Sequence, residues 1–343
     1  PGPARSIAHR RIAQSDDPFE LLETTGGIAP VAWYLVAISR MVVDHLPFCQ
    51  KFVNTRPSWR PEHLISMFLR LCLAGALFLA PIRSAASDVS ASLTLDRGYR
   101  HLYDLDFAGA EQEFNAWQQQ HPANPMGPAS QAAGLLFAEF HRLGVLETQF
   151  YESDEAFDAR KKLAPDPSVR KRFDEILTQS DGLAQTRLTR DPQDRDALLA
   201  LTMSAGLRAD YAALVEKRNF ASLRYTKEAT GWAEKLLVVD PTCYDARLAI
   251  GISRYLIGSM SAPVRWVLRM GGVSGDKEAG IADLQITAQK GRYLAPFARI
   301  LLAIAFVREH KRPEARALLA SLQQEFPNNP LFAREIARLD SSR

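Results

Sequence analysis

One pattern of small, apolar and helix-breaking positions returns along residues 90–340: a small residue, an apolar or small one four later, and proline eight after that. It reads Ala110, Phe114, Pro122; Ala229, Ala233, Pro241; Ala315, Leu319, Pro327; and, more weakly, Ser180, Ala184, Pro192. A step of four puts two side chains on one face of a helix. The small residue lets a second helix approach, the residue one turn on fills the seam, and proline ends the helix. No period-two alternation persists, so the class is all-α.

The pattern predicts five helical hairpins and a closing helix. Hairpin one pairs 90–104 with 107–120, and hairpin two pairs 128–149 with 168–190. Hairpin three pairs 194–218 with 220–239, hairpin four 242–258 with 275–290, and hairpin five 294–309 with 312–325. Residues 329–340 form the cap, whose outer face must be polar.

These units resemble the tetratricopeptide (TPR) family, whose 34-residue repeat has a small residue in helix A, Ala and Phe in helix B, and a terminal proline. The first unit carries Gly98, Ala110, Phe114 and Pro122 at the family spacing. The last carries Leu302-Ala303, Phe306, Ala315, Leu319 and Pro327. The middle units are degenerate and their prolines irregularly spaced. The resemblance implies a TPR-like α-solenoid over 88–343, a non-catalytic scaffold that holds a protein or peptide on its concave face. Some TPR domains grip a peptide carboxylate with Lys, Asn and Arg on the A helices. Here those faces carry Leu95, Tyr99 and Leu102, and Phe297, Ile300 and Ile304, which argues against such a clamp.

Two stretches exceed the repeat, 150–167 and 259–274, each between helix A and helix B of its unit. Insertions at one point of a repeat emerge on one face, so both are expected on one rim flanking hairpin three. Aromatic and basic residues interleave there: Tyr211, Lys217, Arg218 and Tyr225 at the hairpin-three junction, and Arg265, Trp266 and Arg269 in the second insertion. With Tyr99 of the concave stripe, these are the candidate partner-binding residues. The plainer reading makes the junction a solvated turn with snorkelling side chains and packs 263–270 over hairpin four. Trp and Arg in that segment also suit peripheral contact with a membrane surface.

Upstream lies a different pattern. Met67-Phe-Leu-Arg70 gives a short basic start, Leu71 to Ile82 an apolar run, and Arg83-Ser-Ala-Ala-Ser87 small residues, the layout of a secretory signal peptide. The run is too short to span a bilayer. The expectation is export to the periplasm or beyond, with a signal at 67–87. Residues 1–66 are read as a leader outside the working protein, with an extended signal anchor as the other reading.

Charge and chemistry narrow the class. Residues 1–87 carry nine Lys/Arg and six Asp/Glu, leaving 33 of each in the remainder. That neutral balance excludes the basic surface that nucleic acid needs. No H-E-x-x-H, Walker A or G-x-S-x-G occurs, and His101, His121, His141 and His310 lack metal-ligand spacing. No catalytic, cofactor or metal residue is assigned. The glycines Gly271, Gly272, Gly275 and Gly280 lack the Lys-Ser/Thr of a phosphate loop, and Ser274 to Asp276 read as a helix start. Beyond residue 87 only Cys243 remains, read as a small buried hydrophobe on a helix. The leading expectation is an exported scaffold that binds through its concave face and insertion rim. A small-molecule or lipid binder with a pocket closed by the insertions is the alternative, and an enzyme the third.

Overall fold

Twelve helices and no strand run through the residues described by the computed structural model, 95–146, 163–270 and 274–341. All belong to the second of two units into which the chain divides, Lys51–Arg343. The expected leader, the signal at 67–87 and most of the first insertion lie outside the described residues. Hairpin one is α1 (95–103) and α2 (Phe107–Gln120); hairpin two is α3 (Met126–Arg142) and α4 (Pro167–Arg190). Hairpin three is α5 (Arg195–Leu214) and α6 (Asn219–Val239). Hairpin four pairs α7 (Arg247–Ser259) with α9 (Lys277–Lys290), and α8 (Ala262–Met270) interrupts it. Hairpin five is α10 (Ala295–Arg308) and α11 (Arg312–Glu325), capped by α12 (Pro330–Ser341). Phe332, Glu335 and Leu339 are the buried face of the cap.

Two turn chemistries alternate along the chain. Helix A ends with a left-handed residue in hairpins one, two, three and five: Leu105, Gly144, Lys217 and His310, with φ of 62°, 70°, 55° and 58°. In three of them the next N–H reaches back five residues: Asp106 to His101, Val145 to Phe140 and Lys311 to Phe306. These bonds satisfy the orphan carbonyls of a helix end. The turns from B to the next A instead carry proline second: His121-Pro122, Asp191-Pro192, Asp240-Pro241 and Phe326-Pro327. Each closes with the fourth N–H on the first carbonyl, at 2.9–3.2 Å.

The fourth residue of that turn then starts the next helix. Asn124, Asp194 and Asn329 accept from the N–H of Met126, Ala197 and Leu331 at 3.0, 2.9 and 3.0 Å. Cys243 has no such acceptor, and there the chain runs first through a 3₁₀ turn, Tyr244–Ala246. So Cys243 lies in a turn, not on a helix as expected; burial pushes its thiol up to about 11.

The seams follow the small-residue pattern. Ala110 and Phe114 are fully buried, and the Phe114 ring occupies the space beside Gly98, where a Cβ would come within 2.6 Å of its Cδ1. Ser180 and Ala184, Ala229 and Ala233, and Ala315 and Leu319 are buried likewise. Hairpin four uses glycine instead. A Cβ on Gly280 would meet the Tyr255 nitrogen at 2.5 Å and the Gly251 carbonyl at 2.8 Å, so the two backbones touch. Gly280 and Leu284 thus stand where the other units carry their small and apolar residues, and Arg292 replaces proline.

Candidate functional site

The inner face, built from the A helices, is filled by its own side chains. Tyr99 of α1 stacks on Tyr293 at 5.0 Å, and Phe137 of α3 meets Phe297 of α10 edge-on at 5.4 Å. The Tyr103 hydroxyl donates to the Tyr293 carbonyl at 2.9 Å, and Asn329 Nδ2 donates to the Tyr103 carbonyl at 2.8 Å. Arg292 grips Asp96 with two hydrogen bonds of 3.0 and 2.9 Å. The first unit therefore packs on the last, and the concave face that was expected to hold a partner is largely filled by the protein's own side chains. Aromatic A faces that lack charge bury each other, because apolar area gains by leaving water.

The closure leaves a cavity of about 90 Å³, with walls from α1, α3, α5, α6, α7 and α10. Tyr99, Phe137, Met203 and Phe297 supply apolar and aromatic surface, and Asp210 borders it from α5. Burial alone pushes the Asp210 carboxyl up to about 7. Tyr99 is 3% exposed; its hydroxyl bonds Ser130 at 3.0 Å and lies 3.9 Å from Met203 Sδ. It lines the cavity and faces no external partner. The described walls come from helices, whereas the pocket reading expected the two insertions to close them.

The edge that carries the A-to-B turns is chemically different. Leu256, Met260, Val264, Trp266 and Met270 are all exposed, Trp266 by 58%. They lie on the end of α7 and on α8. Arg265 Nη1 donates to the Gly258 carbonyl at 2.9 Å, tying α8 to the end of α7. Arg269 is exposed. No acidic residue occurs between Asp245 and Asp276. Asp276 begins α9 as expected, accepting from the Ala279 N–H at 2.9 Å.

At the hairpin-three junction the named residues separate. Tyr211 is a core residue, 1% exposed, stacked on Phe173 at 5.4 Å with the Arg170 guanidinium 4.3 Å above its ring. It is corrected from partner contact to packing, since its long apolar ring falls on the buried face of α5. Lys217 holds the left-handed turn position and Arg218 beside it is exposed. Tyr225 is half-buried on α6, with Arg224 5.1 Å from its ring. In the sequence Asp210 is one of several polar residues of α5 and carries no local signal of its own.

Among the described residues no helix is long and apolar enough to cross a membrane, and no three His, Cys, Asp or Glu side chains gather to hold a metal. No family model and no curated protein matches the chain. A solved structure of a thermophilic TPR protein from Thermus thermophilus is similar at 16% identity and a TM-score of 0.38, covering 73% of this chain and 98% of that one. The repeated seams, the left-handed A-helix ends and the proline turns of the molecule itself describe a TPR-like, all-α array of five helical hairpins and a capping helix.

Proposed function

We propose that the protein is an exported scaffold that holds a protein partner on its A-to-B edge, with Trp266 of α8 as the anchor. The observation that carries this reading is the exposed apolar strip from Leu256 to Met270. Exposed apolar patches of this kind mark interaction sites, and tryptophan is enriched among residues that dominate binding energy. The inner face is largely filled by its own side chains. The stretch free of acidic residues, with Arg265 and Arg269 beside Trp266, calls for an apolar pocket with an acidic rim. Export is supported by the basic start, apolar run and small residues of 67–87.

The test is a photo-cross-linking amino acid at position 266, compared with one at Val238, which is 85% exposed on α6. A single protein adduct specific to 266, bound at least tenfold more weakly by Trp266→Ala, supports the scaffold. Adducts only with anionic lipid would assign α8 to a membrane surface and overturn it, as would the same adducts at 238. Amino-terminal sequencing of the mature protein tests export: a start upstream of Met67 in the cytoplasmic fraction refutes it.

A further inference from the structure

Five acids are buried in the core and each has a partner, whereas Asp210 at the cavity is half-buried. Asp245 accepts from the N–H groups of Tyr293 and Leu294, both at 3.1 Å. Asp283 pairs with Arg247 at 3.1 Å and Arg254 at 2.5 Å, Glu139 with Arg142 at 2.7 Å, and Glu335 with Arg338 at 2.9 Å. Asp240 takes Arg195 and the Thr242 hydroxyl. Asp210 has no ion-pair or hydrogen-bond partner among the described residues. Partial desolvation and the lack of a partner both disfavour its charged form.

What Asp210 borders is the cavity at the closed centre of the stack. The polar groups there are arranged to accept. The Thr202 hydroxyl donates to the Leu198 carbonyl at 2.8 Å, and the Thr226 hydroxyl to the Ser222 carbonyl at 2.9 Å. Each has spent its one proton on its own helix and offers only lone pairs to a guest. No Lys, Arg or His is among the walls, while Tyr99, Phe137 and Phe297 are. Acceptors, a carboxylate and aromatic rings are the surroundings that favour an ammonium group.

The geometry points to a binding site for a small aliphatic ammonium in this cavity, with Asp210 as its counter-ion, Thr202 and Thr226 as acceptors, and aromatic walls around its carbons. At about 90 Å³ the space is smaller than one that takes benzene, roughly 150 Å³. It suits an ammonium with a short alkyl stem. This site is separate from the α8 edge and stands or falls without it.

The experiment is titration calorimetry with propylammonium, propanol and propionate as probes on the folded protein. Propylammonium is expected to bind, with propanol and propionate at least tenfold weaker, because a charged hydrogen bond is lost or reversed. Asp210→Asn keeps the shape and removes the charge, and its affinity for propylammonium is expected to fall at least tenfold. Thr226→Val is expected to weaken it roughly threefold. Equal binding of propanol and propylammonium, no binding of either, or full propylammonium affinity in Asp210→Asn overturns the proposal. The three probes decide it on the unmodified protein even where a variant fails to fold.

Discussion

Hairpins one and four solve the same packing problem in opposite ways. In hairpin one a large ring, Phe114, fills the space opened by Gly98 on the facing helix. In hairpin four no ring fills the seam: Gly251 and Gly280 bring backbone against backbone, and a Cβ on Gly258 would lie 2.5 Å from the Lys277 nitrogen. The first solution concentrates stability in one side chain. The second closes the base of the insertion, since Gly258 and Gly275 touch across it, and sends the segment between them out of the stack as α8. The difference teaches where each unit can vary: hairpin one is core, and hairpin four carries an exposed excursion on a tight clasp.

The sharpest way to break that contrast is at the ring. Phe114→Ala removes a fully buried aromatic and is expected to cost about 4 kcal/mol, seen as a fall in Tm of roughly 10 °C. At the glycine seam a single methyl is the perturbation. Gly280→Ala is expected to cost about 2 kcal/mol by chemical denaturation despite alanine's better helix propensity, because the atoms it meets are backbone and cannot rotate away. Gly182→Ala on α4, with nothing within 4 Å, is the control and is expected to stabilise by about 0.5 kcal/mol. Loss of stability there would detach the glycine effects from the seams.

These seams show how far the sequence was legible. Helices α2, α4, α6 and α11 fall within a residue of the reading, since proline and the small-residue step are local signals. The fourth seam was missed because Gly280 and Arg292 replace the small side chain and the proline that mark the others. Closure of the inner face was illegible for a different reason. Tyr99 and Tyr293 lie 194 positions apart in the chain, and nothing local tells an aromatic that meets a partner from one that meets its own last repeat. Asp210 was invisible because its meaning is a missing partner, which only three-dimensional neighbours reveal.

The inner face can be set against the seams by pH. A carboxyl held near 7 in the folded state and at its usual 3.8 in the unfolded chain keeps its proton longer when folded. Its contribution to stability is present below about 4 and is lost as pH rises through about 7. Asp210→Asn has no such loss. It is expected to match the parent near pH 4 and to exceed it above pH 7, on the order of 2 kcal/mol. Facing Asp210 across the cavity, Asp245, Tyr99 and Tyr103 are common to both proteins and cancel in the difference; α3, α6 and α10 bring only apolar side chains and a threonine. A gap that did not change with pH would place Asp210 in solvent and remove the reason for its charge-selective role.

The smallest expected effect tests α8. If the clasp at Gly258 and Gly275 carries hairpin four, the excursion above it adds little to folding. Trp266 is 58% exposed, so Trp266→Ala is expected to move unfolding free energy by no more than about 0.5 kcal/mol. A tryptophan at so open a position buries little area in the free protein, and truncation removes little of it from water. The same substitution is expected to cost at least tenfold in partner affinity, because there the ring would be covered. A fall of 2 kcal/mol in stability would mean that α8 packs as part of the stack, and the two hairpins would then differ only in the size of the side chains at their seams.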